Sequence, residues 1–153
     1  MRFEVIGLPV AQGSMRAFAM KNGRYALTAT NAKTLKPWRL EVKQAAAAAL
    51  NGDGPFATRV RLDVEFRFPR PGGHFGKRGL RPSAPSWMFR RPDLDKLIRA
   101  VLDALTDAGV LRDDAQVDEI HARKRYCDAD GSPGVEVTVI AGRGDPCDRK
   151  GAQ

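Results

Sequence analysis

Two aspartates one residue apart, Asp93 and Asp95, and a second acidic pair, Asp113-Asp114, stand in an otherwise basic chain. Residues 1–92 hold 17 Lys or Arg and 5 Asp or Glu, a net of +12, whereas residues 93–119 hold 3 and 8, a net of −5. Concentrated carboxylates repel phosphate, so a protein that only holds a polyanion has no use for them. A protein that cuts one does. Carboxylate oxygens hold Mg²⁺ or Mn²⁺, and the cation then touches the phosphate. Hydrolysing a phosphodiester needs an activated water, neutralised charge in the transition state and help for the leaving oxygen, and one or two such cations supply all three. The plain alternative is structural: a helix cap followed by a solvated acidic face.

The element that must position this group is a helix. Leu94, Leu97, Ile98, Val101, Leu102, Leu105 and Ala108 recur at i, i+3, i+4 and i+7, the pattern of one buried helical face. Pro92 suits the approach, Asp93 the N-cap and Gly109 the C-terminal stop. Asp93 and Asp95 then sit where the helix dipole favours a carboxylate. Asp95, Arg99 and Asp103 are spaced four apart on one polar face, so Arg99 has the option of pairing with either acid.

Upstream of that helix, residues 69–92 hold five prolines, four glycines, six Lys or Arg and no acid. A loop of this length inside a small domain is functional or disordered. Its cations Arg70, Lys77, Arg78, Arg81, Arg90 and Arg91 are expected to clamp phosphates beside the acidic group, while Trp87 and Phe89 either stack on bases or wedge a junction open, or cover the core beneath the loop, the favoured reading. His74 carries no case for metal binding.

The rest of the chain reads as a scaffold. Residues 2–8 form a strand with Phe3 and Val5 inward. Asn22-Gly23 marks a hairpin between 15–20 and 24–28, which carries Arg16, Lys21 and Arg24 either as DNA contacts or as a solvated edge. Residues 31–51 form a helix capped by Asn31 or Thr34, with Trp38 in the core and Pro37 at a kink or in the first turn. Val60, Leu62, Val64, Phe66 and Phe68 alternate with Arg59, Arg61, Asp63, Glu65 and Arg67, a strand whose outer charges pair with their neighbours. Residues 116–126 form a strand with imperfect alternation, expected to be bulged, and residues 134–140 a further strand. Asp128-x-Asp130-Gly has too few ligands for a calcium loop and reads as a turn.

At 153 residues, with 42% hydrophobic content, the expectation is one globular α+β domain over 1–140: a mixed or mostly antiparallel sheet with two main helices packed on it, and a polar tail over 141–153. A net charge of +8 and a pI of about 10.0 point to an anionic partner such as nucleic acid. Cys127 and Cys147 give neither metal-ligand spacing nor a disulfide framework. No apolar run reaches 18 residues and no signal-peptide pattern opens the chain, so the expected location is cytoplasmic, away from membranes.

Asp93-Leu94-Asp95-Lys96-Leu97-Ile98-Arg99-Ala100-Val101-Leu102-Asp103-Ala104-Leu105, then Asp113-Asp114-Ala115-Gln116-Val117, then Lys124 and Tyr126, resembles the RusA family of Holliday-junction resolvases. The match is dense over 91–126 and looser over 1–140. The resemblance implies a small α/β fold, a homodimer, and a Mg²⁺-dependent endodeoxyribonuclease (Mn²⁺ substituting) that resolves four-way junctions by paired symmetric nicks. A four-way junction is approximately two-fold symmetric, and a C2 dimer supplies two matched sites. The family's essential acids map onto Asp93, Asp95 and Asp114, with Asp113 the lesser partner.

Two departures stand out. The family usually has Asn directly after the second Asp, where this chain has Lys96. The family's functional Lys four residues after that Asp is here Arg99, which stays charged and is not a proton donor. Lys96 and Lys124 complete the expected DNA contacts. The competing readings are a less selective metal-dependent nuclease on branched DNA, and a DNA-binding protein of the same fold without activity.

Overall fold

The computed structural model describes residues 1–19, 21 and 25–142. Its elements in chain order are β1 (Arg2–Ile6), β2 (Met15–Ala19), β3 (Tyr25–Ala29), α1 (Ala32–Leu50), β4 (Val60–Phe68), β5 (Phe75–Gly76), β6 (Gly79–Leu80), α2 (Leu94–Asp107), β7 (Val117–Tyr126) and β8 (Gly134–Ala141). Short 3-10 turns lie at Gly72–His74 and Asp114–Gln116.

Four strands form one sheet in the order β1-β8-β4-β7. β1 pairs with β8 and β8 with β4 antiparallel, while β4 and β7 run parallel. A parallel pair needs a crossover, and α2 supplies it. α1 and α2 pack against each other; α1 meets the β1 side of the sheet and α2 the β7 side. This is the expected α+β domain, with a mixed sheet under two helices.

The alternation of β4 decides which face the helices cover. Val60, Leu62, Val64, Phe66 and Phe68 are buried, as are Val135, Val137 and Val139 of β8 and Phe3 and Val5 of β1. Leu35, Trp38, Val42 and Ala46 of α1, and Leu97, Ala100, Val101, Ala104 and Leu105 of α2, close over them. Pro37 lies inside α1 rather than at its start. β7 is bulged: Val60 faces Val117 and Arg61 faces Glu119, which leaves Asp118 as the extra residue.

The outer face is laced with ion pairs, as the charged positions of β4 foretell. Arg61 pairs with Asp63, Arg67 with Glu4, and Arg2 with Glu136. Glu65 accepts from Arg123 Nε and Arg125 Nε, each at 2.6 Å. Burial pushes the Glu65 carboxyl up, but the hydrogen bonds and charges of Arg125 and Arg123 override it and hold it below its ordinary value of 4.5. A depressed carboxylate stabilises the fold above its unfolded pKa, and that contribution is lost as pH falls through the folded value. Between about pH 5 and pH 3, the urea midpoint of the wild type is expected to fall further than that of Glu65→Gln. Equal falls would mean that the Glu65 network adds nothing to stability.

Residues 69–92 depart from expectation. They are not structureless: after the turn at Gly72–His74, β5 and β6 make a two-residue ribbon, and residues 86–88 then lie along the outer edge of β7. Trp87 and Phe89 do not cover the core; they are 63% and 80% exposed, and the partly buried Met88 between them takes the inward place. The backbone decides this, because Trp87 bridges Arg125 antiparallel and successive side chains along such a bridge point to opposite sides. The expected turn at Asn22-Gly23, Arg24, and the tail beyond residue 142 with Cys147 lie outside the described residues.

Candidate active site

The start of α2 is where separate segments meet. Asp93 occupies the N-cap position with extended backbone, and Asp95 lies in the first helical turn. The Asp93 side chain makes no capping bond; it forms an ion pair with Lys96 Nζ at 2.9 Å. Hydrogen bonding and charge from Lys96, with smaller effects of Arg91 and Lys124, hold the Asp93 carboxyl below its ordinary value. It is therefore anionic at neutral pH, the form in which a carboxylate ligates a metal.

The approach to Asp93 is fastened by β7. Lys124 Nζ donates to the carbonyls of Arg90 at 2.7 Å and Pro92 at 2.6 Å. The Arg91–Pro92 peptide is cis. From the other side, Gln12 N donates to Lys96 O at 3.1 Å. Asn31, placed at the α1 N-cap, spends its amide on that same loop: Oδ1 accepts from Gly13 N at 2.9 Å and Nδ2 donates to Ala11 O at 2.8 Å. These segments enclose a cleft of about 540 Å³ whose lining includes Gln12, Asn31, Arg91, Asp93 and Lys96. Nothing in the sequence pointed to Gln12 or to this use of Asn31, because the contacts are tertiary.

The second acidic pair divides its labour. Asp113 Oδ1 accepts from Ala115 N at 2.8 Å and caps the 3-10 turn. Gln116 Oε1 accepts from Arg112 N at 2.6 Å, and its Nε2 donates to Phe56 O at 2.9 Å and Thr58 O at 3.2 Å. Asp113 and Gln116 thus fold and pin the turn, and Asp114 is left exposed, its carboxylate without a hydrogen bond among the described residues. The signal for Gln116 was present in the sequence: Asp-x-x-Gln is a capping box.

One chain does not bring Asp114 to Asp93 and Asp95. α2 has 14 residues, a length of about 21 Å at 1.5 Å per residue. Asp93 and Asp95 lie at its start. Asp114 lies beyond its end, where Val110 O accepts from Phe56 N beside the beginnings of β4 and β7. Among the described residues, no three His, Cys, Asp or Glu side chains form a metal-holding group. The donor chemistry fits a hard divalent cation, and the Asp93–Asp95 pair fits one that keeps waters and takes phosphate as a further ligand. The full set of three is not assembled within a chain.

Most expected cations are exposed: Arg16 on β2, Lys21, Lys77, Arg78, Arg81 and Arg90, together with Arg91 and Lys96, which line the cleft. Arg70 is instead turned inward. Its Nε donates to Cys127 O at 2.6 Å, its NH1 to Pro85 O at 2.8 Å, and its guanidinium lies 5.7 Å from the Tyr126 ring centre. Arg99 is exposed one turn after Asp95 and makes no salt bridge among the described residues; Asp103 pairs with Arg39 of α1. No described helix is long and apolar enough to cross a membrane.

A family model described as endodeoxyribonuclease RusA matches residues 7–140. No curated protein matches the chain.

Proposed function

This chain belongs to the RusA endodeoxyribonuclease family, and from that premise we propose that it is a Mg²⁺-dependent homodimeric enzyme that resolves four-way DNA junctions by paired symmetric nicks. The observation that carries the reading is the mouth of α2: two carboxylates, one held anionic, beside the exposed cations Arg91 and Lys96 and fastened from two sides. Asp93 and Asp95 would hold the cation, with Asp114 supplied by a second copy of the chain. Bound there, it would supply a polarised water and positive charge at the phosphorus. The chain's own part is to place and neutralise the strand. Lys96, Arg91 and Arg90 attract the phosphates, the Lys124 bonds fix the loop that presents them, and Arg99 offers positive charge one turn from Asp95.

A dimer route that would complete the site follows from β7. Its outer edge is paired by residues 86–88 only near Lys124–Tyr126; no described strand covers residues 117–123 there. Ile120 on that stretch is 37% exposed. Asp103 and Asp107 turn to Arg39 of α1, so the partly buried Leu94, Ile98 and Leu102 lie on the opposite flank of α2, beside the open edge. An open edge beside an apolar stripe is a template for pairing with another chain. Antiparallel pairing of β7 with its copy about a two-fold axis at Ile120 sets Arg123 opposite Val117 of the second copy. The second copy's Asp114 turn then approaches Lys124, Pro92 and Asp93.

The test is cleavage of a labelled four-way junction, with linear duplex and flap controls, in Mg²⁺ and in EDTA. Paired nicks at symmetric positions in the junction alone, lost in EDTA, are expected. Equal cutting of all substrates would replace junction resolution by less selective nuclease action, and tight binding without cutting in Mg²⁺ or Mn²⁺ would make the chain a DNA-binding protein.

A further inference from the structure

Trp87 and Phe89 are large, apolar and exposed, at 63% and 80%. Burying such a side chain is worth about 1.5–3 kcal/mol, so a free loop would fold them in. This loop is not free. Tyr126 N donates to Ser86 O at 2.9 Å, Trp87 bridges Arg125 antiparallel, and Met88 N approaches Lys124 O at 3.5 Å. Arg70 NH1 holds Pro85 O at 2.8 Å, and Lys124 Nζ holds the Arg90 and Pro92 carbonyls at 2.7 and 2.6 Å. The backbone from Pro85 to Pro92 is thus tied at both ends and along its middle. With Met88 turned to the core, Trp87 and Phe89 are presented outward, Phe89 four residues before Asp93.

The surroundings select the occupant. Residues 69–92 contain no acid, and the exposed Lys77, Arg78, Arg81, Arg90 and Arg91 form no salt bridge among the described residues. A second copy meeting this surface with the same surface would set cation against cation. A polyanion that also offers flat apolar faces satisfies both the charges and the rings, and single-stranded or unpaired nucleotides have that chemistry. Inside a duplex the base faces are already stacked; at a branch point they are accessible.

We propose that Trp87 and Phe89 form a stacking platform for unpaired bases at the branch point, and so set the preference for branched over linear DNA. This rests on the branched-DNA reading above. The rings act on bases while the flanking cations hold the phosphates, and Asp93 and Asp95 lie next along the chain. Arg70, expected from its charge to touch DNA, serves the platform by holding its backbone.

The experiment uses Asp95→Asn as a non-cutting background, with Trp87→Ala, Phe89→Ala and Trp87→Phe added singly. Affinity is measured for a four-way junction and for linear duplex, and 2-aminopurine is placed either at the branch point or well inside an arm. Each Ala variant is expected to weaken junction binding about tenfold, with duplex binding little changed. Binding should change the fluorescence of the branch-point probe but not of the arm probe; Trp87→Ala should remove that response and Trp87→Phe restore it.

Retained junction preference with an unchanged branch-point signal in both Ala variants would overturn the platform and leave junction resolution standing. Absence of both junction preference and branch-point response in the background protein would overturn both. A shift from dimer to monomer on sedimentation of the Ala variants would make the rings a protein interface and likewise overturn the proposal.

Discussion

Asp95→Asn is expected to lower junction cutting by on the order of 10³-fold or more while leaving DNA affinity unchanged or tighter. The substitution keeps the size of the side chain and one oxygen, and removes the charge that would hold the cation. Asp95 is exposed in the first turn of α2 and makes no ion pair among the described residues, so the fold loses only a favourable dipole contact of about 0.3–1 kcal/mol. Binding should not weaken, because removing a negative charge that faces phosphate reduces repulsion. The measurement is single-turnover cleavage beside a gel-shift titration and a thermal melt. Loss of cutting with loss of folding would not support the assignment, and full cutting by a folded Asp95→Asn protein would refute it. Asp93→Asn should behave alike in cutting, and it also releases Lys96 from its 2.9 Å ion pair.

The second large effect is complementation between two inactive proteins. If a site joins Asp93 and Asp95 of one copy to Asp114 of the other, Asp95→Asn and Asp114→Asn homodimers are each dead. A mixed dimer then holds one doubly defective site and one intact site. Mixing and refolding the two together should restore single nicks on a four-way junction, from no activity in either parent. A site built within one chain gives no such rescue, because each chain carries its own lesion. Ile120→Lys supplies the matching control. It puts two like charges at the proposed axis on an open strand edge, the position at which natural sheets use Lys to prevent pairing. It adds rather than removes attraction for phosphate, so monomeric, folded Ile120→Lys that fails to cut would trace the loss to assembly. A dimeric Ile120→Lys that still cuts would move the interface elsewhere.

Much of this protein was legible in its sequence, because local rules and tertiary demands agreed there. The alternation of Val60 to Phe68 and the i, i+3, i+4 pattern of Leu94 to Ala108 each leave one face to bury, and those faces meet in the core. Glu65 of β4 found Arg123 and Arg125 on the adjacent β7, as a shared period of two allows, while Arg61 and Asp63 paired along β4 itself. The Asp93-x-Asp95 spacing and the Asp113-Asp114 pair marked the candidate site because helix starts and tight turns have recognisable residue types.

Other features were decided only by tertiary structure. Trp87 and Phe89 looked like core cover, since composition predicts burial for such side chains; hydrogen bonds from β7 and Arg70 fix their backbone and turn them out. Arg70 looked like a phosphate contact, and Lys124 gave no sign of fastening Arg90 and Pro92, because a cation's charge is visible in sequence but the carbonyl it meets is not. The separation of Asp114 from Asp95 belongs to the same class. Sequence records that 18 residues lie between them, but the straight rise of α2 places them at its opposite ends.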